Sequence, residues 1–265
     1  VLSVSGSIPF LLFGFSFVDS FFESMSGITT TGATVIAGLD DLPKSLLIYR
    51  QLLQWLGGMG LIVLAIAVMP LLGIGGGQLF KTQTPGPMSE QRLTPRITST
   101  ARALWSIYFV LTVLCIFAYR LAGMDYFDAI SHAFSTVSIG GFSTHDLSIG
   151  FFDSLSVEIV CITFMLLSAM SFAVHYSAIY RKQVLKYFYD PELRFFVLLL
   201  IVILVLVCLS LFANDIDDPI RSGLFQTVSI LTTTGFLTDE YSSWPAYISF
   251  MLLVGAFIGA CSGSV

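Results

Sequence analysis

The sequence predicts an all-α polytopic membrane protein in which helix–pore-loop–helix units repeat around a pseudo-fourfold axis. Three observations carry that prediction. The chain of 265 residues is 55% hydrophobic and only 11% charged, a balance that belongs to bilayer-spanning chains rather than soluble domains. Apolar runs of spanning length alternate with segments too short to cross. Three of those short segments also align. With Gly32, Gly141 and Gly235 in one column, the chain reads S-G-I-T-T-T-G-A-T (Ser26–Thr34), S-T-V-S-I-G-G-F-S-T (Ser135–Thr144) and S-I-L-T-T-T-G-F-L-T (Ser229–Thr238). A serine stands six residues before each glycine (Ser26, Ser135, Ser229) and an apolar residue four before (Ile28, Val137, Leu231). A hydroxyl stands three before (Thr29, Ser138, Thr232). The period of roughly 100 residues is far longer than that of a solenoid and fits one membrane unit copied several times.

Val1–Phe17 is apolar with Gly6, Pro9 and Gly14, and reads as the end of a spanning helix with its outer turn. Val18–Ile28 is short and amphipathic. It is expected to dip into the bilayer and stop at Thr29, with Thr29–Thr34 as the return strand. A helix C-terminus carries partial negative charge and favours a cation beyond it. Leu39–Pro43 is a turn, and Ile48–Leu72 is long enough to span. Its Gly57-Gly58-Met59-Gly60 cluster suits close backbone approach. Gly73–Ala101 is a loop, Ala103–Tyr119 a span, Met124–Val137 a second dip and Ile159–Tyr180 the span that follows it. Arg181–Arg194 is a second loop, Phe195–Ala213 a span, Asp218–Leu231 a third dip, and Pro245–Val265 begins another span. Asp19 and Asp128 both stand 13 before their glycine, where the third copy has Ser222. The organisation is therefore 1–80, the end of a first unit; 81–102, a loop; 103–180, a complete second unit; 181–194, a loop; and 195–265, a third unit truncated in its second span. The chain begins without Met and stops inside an apolar run, so it reads as an internal fragment, with a fourth unit expected outside it.

Charge sets the orientation. Eight of the 12 basic residues lie in the two connecting loops: Lys81, Arg92, Arg96, Arg102, Arg181, Lys182, Lys186 and Arg194. Positive-inside bias places those loops in the cytoplasm. Acids crowd the loops beside the dips (Asp40, Asp41, Asp125, Asp128, Asp146, Asp153, Asp215, Asp217, Asp218, Asp239, Glu240), where an acidic outer mouth concentrates cations. The cysteines Cys115, Cys161, Cys208 and Cys261 all fall in apolar runs without C-x-x-C spacing and read as free buried thiols.

Non-helical backbone survives at bilayer depth only where protein or a water-filled cavity satisfies it. Short T-T-T-G runs have no apolar side chains for lipid, and Gly adopts backbone angles other residues avoid. Several such strands turned toward one axis stack rings of carbonyl and hydroxyl oxygens that replace a cation's hydration shell. The competing reading is Ser/Thr helix-packing contacts, which three aligned copies between apolar spans disfavour.

The motifs F-E-S-M-S-G-I-T-T-T-G-A-T (Phe22–Thr34), L-L-Q-W-L-G-G-M-G (Leu52–Gly60), L-T-P-R (Leu93–Arg96), H-A-F-S-T-V-S-I-G-G-F-S-T-H-D (His132–Asp146), T-T-T-G-F (Thr232–Phe236) and G-A-C-S-G-S (Gly259–Ser264) occur in this order along the chain. In that order and spacing the chain resembles the Trk/Ktr/HKT superfamily of potassium transporters, most closely its bacterial TrkH/TrkG branch. The resemblance implies K⁺ uptake across the bacterial inner membrane through one pore built from four units. It implies a filter of main-chain carbonyls at Thr30, Thr31 and Gly32, at Ile139, Gly140 and Gly141, and at Thr233, Thr234 and Gly235. It implies an intramembrane gate at Gly259, Ala260, Cys261, Ser262, Gly263 and Ser264. The implied partners are membrane lipid, a second copy in a homodimer and a TrkA-type cytosolic nucleotide-binding ring, with K⁺ as the transported ion, no organic cofactor and no nucleic acid. The second strand departs from the pattern, with Ile139-Gly140 where the others have two threonines.

Other residues weigh less. His132, His145 and His175 show no metal-binding spacing, and His145-Asp146 reads as surface turn rather than a pH-sensitive pair. Arg50 and Gln51 are expected to snorkel to the interface, and Glu158 to be interfacial. Asp19 and Glu23 either tune cation entry or cap and solvate their helix. No nucleophile–base pair, Walker loop or dinucleotide fingerprint appears, so the chain is not expected to be an enzyme. The alternative function is a membrane scaffold or enzyme whose polar re-entrant segments bind a partner or substrate.

Overall fold

The computed structural model describes residues 1–71, 97–180, 182–183, 185–239, 241 and 244–258, with 61–71, 97–102, 173 and 186 as backbone only. Every regular element among them is helical: α1 (Leu2–Leu12), α2 (Phe17–Ile28), α3 (Lys44–Leu71), α4 (Ile97–Leu121), α5 (Tyr126–Val137), α6 (Leu155–Ala169), α7 (Phe172–Tyr180), α8 (Lys186–Tyr189), α9 (Pro191–Ala213), α10 (Pro219–Leu231) and α11 (Ala246–Ile258). Short 3-10 turns lie at Leu39–Asp41 and Ser148–Phe152.

Two kinds of helix alternate, and their side chains explain why. In α9, Phe196, Leu200, Ile203, Val207 and Leu211 form one buried stripe, while Leu198, Ile201, Val205, Leu209 and Phe212 stay exposed. A helix apolar all round needs a core or a bilayer on every side, and α9 meets protein on one side only. Among the described residues, Ala103–Leu121 of α4 and all of α9 are long and apolar enough to cross a membrane. The 28 residues of α3 cover about 42 Å at 1.5 Å each.

The short helices α2, α5 and α10 have 12, 12 and 13 residues. Their starts are chemically marked. Ser16 Oγ accepts from Asp19 N (3.1 Å), and Asp125 Oδ1 accepts from Asp128 N (2.7 Å), so both helices open on a capped N-terminus. Asp218-Pro219 opens α10 with proline in its first turn. In α2 the amphipathic sense is inverted relative to a soluble protein. Ser20, Glu23, Ser24 and Ser26 are buried, while Phe17, Val18, Phe21, Phe22 and Met25 are exposed.

The long helices act as walls between units. α3 packs against both α2 and α5, and α6 against both α5 and α10, so each return helix touches its own short helix and the next one. Close approach requires the glycines of α3. A Cβ at Gly57 would fall 2.1 Å from the carbonyl oxygen of Ile28, and one at Gly58 would fall 3.1 Å from Ser138 Cβ. Trp55 Nε1 donates to Thr112 Oγ1 (3.0 Å) and the Tyr108 hydroxyl donates to Trp55 O (3.0 Å), which fixes α3 to α4.

Two expectations change here. Ile159–Tyr180 is not one continuous span: α6 stops at Ala169, Met170 is extended (φ −73°, ψ 143°), and the chain restarts as α7 at a bend of 93°. The carbonyl of Leu167 near the break lies 2.8 Å from His175 Nε2, and His175 Nδ1 lies 2.7 Å from the Tyr187 hydroxyl. Cys115 and Cys161 are free and buried, as expected, but Cys208 is only half-buried. Cys261 lies outside the described residues, as do all four basic side chains of the 81–102 loop.

Candidate functional site

The aligned segments share one backbone geometry. Each short helix ends in the same cap, with Thr29, Ser138 and Thr232 still near helical angles. The next residue is left-handed: Thr30 at φ 54°, Ile139 at 55° and Thr233 at 59°. Its N–H reaches the carbonyl three residues back (Gly27, Thr136, Ile230; 3.0–3.2 Å), and the following N–H reaches the serine carbonyl five back (Ser26, Ser135, Ser229; 2.8–2.9 Å). This is a Schellman cap, which ordinarily places glycine at the left-handed position. Here a β-branched residue occupies it three times, a true outlier for such side chains that costs about 1–2 kcal/mol each.

One residue later φ leaves the positive region, and at Gly32, Gly141 and Gly235 it returns to 76°, 76° and 83°. Backbone that alternates in hand sends successive N–H groups to one face and hence successive C=O groups to the opposite one. Among the described residues no hydrogen bond is donated to the carbonyls of Thr30, Thr31, Ile139, Thr233 or Thr234. Gly140 O differs, since it accepts from Gln54 Nε2 at 2.6 Å.

The three strands touch in sequence. A Cβ at Gly32 would lie 2.1 Å from Gly140 O, and one at Gly141 would lie 2.0 Å from Thr234 O. Gly32 and Gly141 therefore each receive the carbonyl that precedes the next unit's glycine. The serines six before the column explain themselves in two copies. Ser26 Oγ donates to Ala33 O (2.6 Å) and Ser229 Oγ to Phe236 O (2.7 Å), tying helix end to return strand. Ser135 Oγ is buried without a partner among the described residues.

A second polar column, nine before the glycine, holds the strands further out, and it escaped the sequence reading. Glu23, His132 and Gln226 are all fully buried. Glu23 accepts from Val35 N (2.8 Å), Ile36 N (3.3 Å) and the Thr34 hydroxyl. His132 Nδ1 donates to Asp128 O (2.9 Å), so Nε2 is free to accept from the Ser143 hydroxyl at 2.9 Å. Gln226 Nε2 donates to Asp239 O at 3.2 Å. Three chemistries serve one mechanical task.

Buried charge completes the frame and corrects two expectations. Arg50 does not snorkel. It is 0% exposed and pairs with Glu23 (Nε–Oε2 3.2 Å), with further donation to Ser143 O and Thr34 Oγ1 and the Phe142 ring 4.3 Å away. Its neighbour Gln51 is also fully buried. Glu158 is not interfacial but 3% exposed, paired with Arg221 of α10 at 2.7 Å, and Arg221 also reaches Asp153 at 3.0 Å. The partners are 27 and 63 residues away, and removing one member of a buried pair is far costlier than the pair is worth.

At the outer rim, units one and two clasp. His145 Nδ1 meets Asp40 and Nε2 lies 3.3 Å from Asp128 Oδ2, with the ring stacked 3.5 Å from Phe151. His145 therefore bridges two acids of different units and does not pair with Asp146, which instead accepts from Gly38 N and Leu39 N (3.0 and 2.9 Å). The hydrogen bond from His145 holds the Asp40 carboxyl below the usual carboxylate range. Asp19 serves in its helix cap. Among the described residues no cluster of three or more His, Cys, Asp or Glu is placed to hold a metal. The residues expected to gate, Gly259–Ser264, lie outside the described residues.

A family model described as TrkH, cation transport protein, matches residues 2–265. The chain belongs to the TrkH family. The TrkH-named potassium uptake protein of Halomonas elongata is 52% identical over 270 residues, which cover 100% of this chain and 56% of that protein. The Trk system potassium uptake protein TrkG of Escherichia coli K12 is 46% identical over 252 residues, 94% of this chain and 52% of the relative. The crystal structure of the potassium transporter TrkH from Vibrio parahaemolyticus matches with a TM-score of 0.87 at 48% identity, over 100% of this chain and 55% of that one. This TrkH-family chain thus spans just over half the length of the relatives it matches. Bacterial members of the TrkH family are inner-membrane transporters rather than enzymes, in keeping with the apolar spans of α4 and α9.

Proposed function

We propose that the chain forms three quarters of a potassium pore, in which K⁺ crosses the inner membrane through rings of main-chain carbonyls. Thr30, Thr31 and Gly32, Ile139, Gly140 and Gly141, and Thr233, Thr234 and Gly235 supply the walls. The observation that carries this reading is the repeated left-handed β-branched residue at Thr30, Ile139 and Thr233. Backbone strain recurring at one column in three copies needs a purpose, and carbonyls turned to one face and left without donors supply it. Rings of such oxygens replace a cation's hydration shell, and the helix C-termini behind them add negative potential.

A fourth unit closes the ring in this proposal. Gly32 and Gly141 each abut the next strand's carbonyl, whereas among the described residues nothing lies within 4 Å of a Cβ at Gly235. The exposed Phe17, Val18 and Phe21 of α2 offer the other flank. The basic loops then face the cytoplasm, where a TrkA-type nucleotide-binding ring would act on a homodimer, and Gly259–Ser264 would serve as the gate. Family membership supports these assignments of gate and partners.

The test is Rb⁺ uptake and potassium-limited growth in cells lacking their own K⁺ uptake, with the protein expressed from its complete gene. Rescue, with Rb⁺ entry suppressed far more by K⁺ than by Na⁺, is the expected result. No uptake from a correctly inserted protein, even beside its cytosolic partner, would overturn the reading in favour of a membrane scaffold.

A further inference from the structure

Two of the three filter strands brace themselves. In the first, the hydroxyls of Thr29 and Thr31 lie 2.8 Å apart, and in the third those of Thr232 and Thr234 lie 2.8 Å apart. Each of these strands is also held by its serine, Ser26 or Ser229. The second strand has neither device. Gly140 stands where the others have the third threonine, and Ser135 Oγ has no partner among the described residues. An unbraced strand beside an ion is free to rotate its peptides, and selection among cations depends on holding those carbonyls.

Gln54 of α3 fills the deficit from the preceding unit. It is fully buried. Its Nε2 donates to Gly140 O at 2.6 Å, and its Oε1 accepts from Phe142 N at 3.1 Å. One amide thus grips the strand on both sides of the column glycine Gly141. Gly140 also has no conformational need to be glycine, because its φ lies outside the left-handed region. What excludes a side chain is Gln54 itself: a Cβ at Gly140 would fall 2.4 Å from its Cδ and 2.5 Å from its Oε1. The glutamine and the missing threonine occupy the same space.

We propose that Gln54 is a specificity-determining positioning residue. It substitutes for the threonine brace of the second strand, and Gly140 is glycine in order to admit it. The proposal rests on the carbonyl-filter reading above. It makes the second wall unlike the others, because Gly140 O already holds a hydrogen bond, whereas Thr31 O and Thr234 O carry none among the described residues.

The experiment uses the protein from its complete gene and reads Rb⁺ uptake with Na⁺ as competitor. Uptake by the parent separates the two readings: a parent that does not transport fails as a potassium pore, not as a test of Gln54. Gln54→Met keeps the side-chain bulk and removes both bonds, and it should lower the preference for Rb⁺ over Na⁺ about tenfold while uptake persists. Gly140→Thr alone should abolish uptake by collision with Gln54. Gln54→Ala with Gly140→Thr installs the threonine brace in the vacated space and should recover preference that Gln54→Ala alone lacks. That recovery is a readout that simple damage to folding would not produce. Full preference in a well-inserted Gln54→Met, or a double variant no better than Gly140→Thr, overturns the proposal. Where Gln54→Met does not reach the membrane, the comparison of Gln54→Ala with the double variant decides alone.

Discussion

Replacing Gly141 by alanine tests the handed-on contact between strands. The new Cβ would lie 2.0 Å from Thr234 O, so the two strands must part by about 1 Å to reach the 3.0 Å below which real Cβ contacts essentially never fall. The atom in the way is backbone, which has no flexible end to swing aside, and the left-handed φ adds about 1–2 kcal/mol. A displacement of that size exceeds the difference in size between K⁺ and Na⁺, so the variant should lose discrimination before it loses folding. A loss of about 1.4 kcal/mol is a tenfold fall in preference, and at least that is expected for Gly141→Ala and for Gly32→Ala, whose Cβ meets Gly140 O at 2.1 Å. The assay is Rb⁺ uptake against rising Na⁺, normalised to protein in the membrane. Gly235→Ala is the informative control. Among the described residues its Cβ meets nothing, so they leave it the φ cost alone. A fourth strand that completes the ring puts a carbonyl there, and the variant should then be as severe as Gly141→Ala. Parental preference in a well-inserted Gly141→Ala would refute the reasoning about the filter. A mild Gly235→Ala beside a severe Gly141→Ala would refute closure by a fourth strand.

Other outcomes follow from the same frame. Glu23→Gln strands the Arg50 charge and should cost about 3–5 kcal/mol in detergent thermal unfolding, whereas Glu23→Gln with Arg50→Met should cost markedly less; equal effects would deny the pair its role. Ser229→Ala leaves Phe236 O without its donor and should cost about 1–3 kcal/mol, while Ser135→Ala, whose hydroxyl has no partner among the described residues, should be close to neutral in the same melt. The Asp40 carboxyl is held below its ordinary value by His145, so its contribution is present above the unfolded value of about 3.9 and is lost as pH falls through the lower folded value. The melting temperature of the parent should therefore drop on acidification below about pH 4 more steeply than that of Asp40→Asn. Parallel curves for the two proteins would remove the contact from the account.

Much of this architecture was legible because it depends on local pattern. The dips expected at Val18–Ile28, Met124–Val137 and Asp218–Leu231 end at the helix ends observed at Ile28, Val137 and Leu231, since hydroxyl and glycine follow an apolar residue there each time. The left-handed turn at Thr30, Ile139 and Thr233 was not legible, because the residue types argue against it and only the tertiary frame imposes it. Nor was the fate of Arg50 and Glu158. A charge at the head of an apolar run reads as interfacial until the partner 27 or 63 residues away is known. The break after Ala169 carries no proline or glycine (Ala169-Met170-Ser171-Phe172). One signal was present without being read: the position nine before each glycine is polar in all three copies.

That position bears on how the proposed pore changes over time. In a pore assembled from copies of one subunit, every codon change alters every wall together, and a tolerable edit must be tolerable several times over. Here Glu23, His132 and Gln226 hold equivalent strands, and each is inherited separately. A change in one reaches a single wall of the proposed pore, and the remedy can come from one neighbouring helix alone. The duplicated units can therefore drift apart one support at a time.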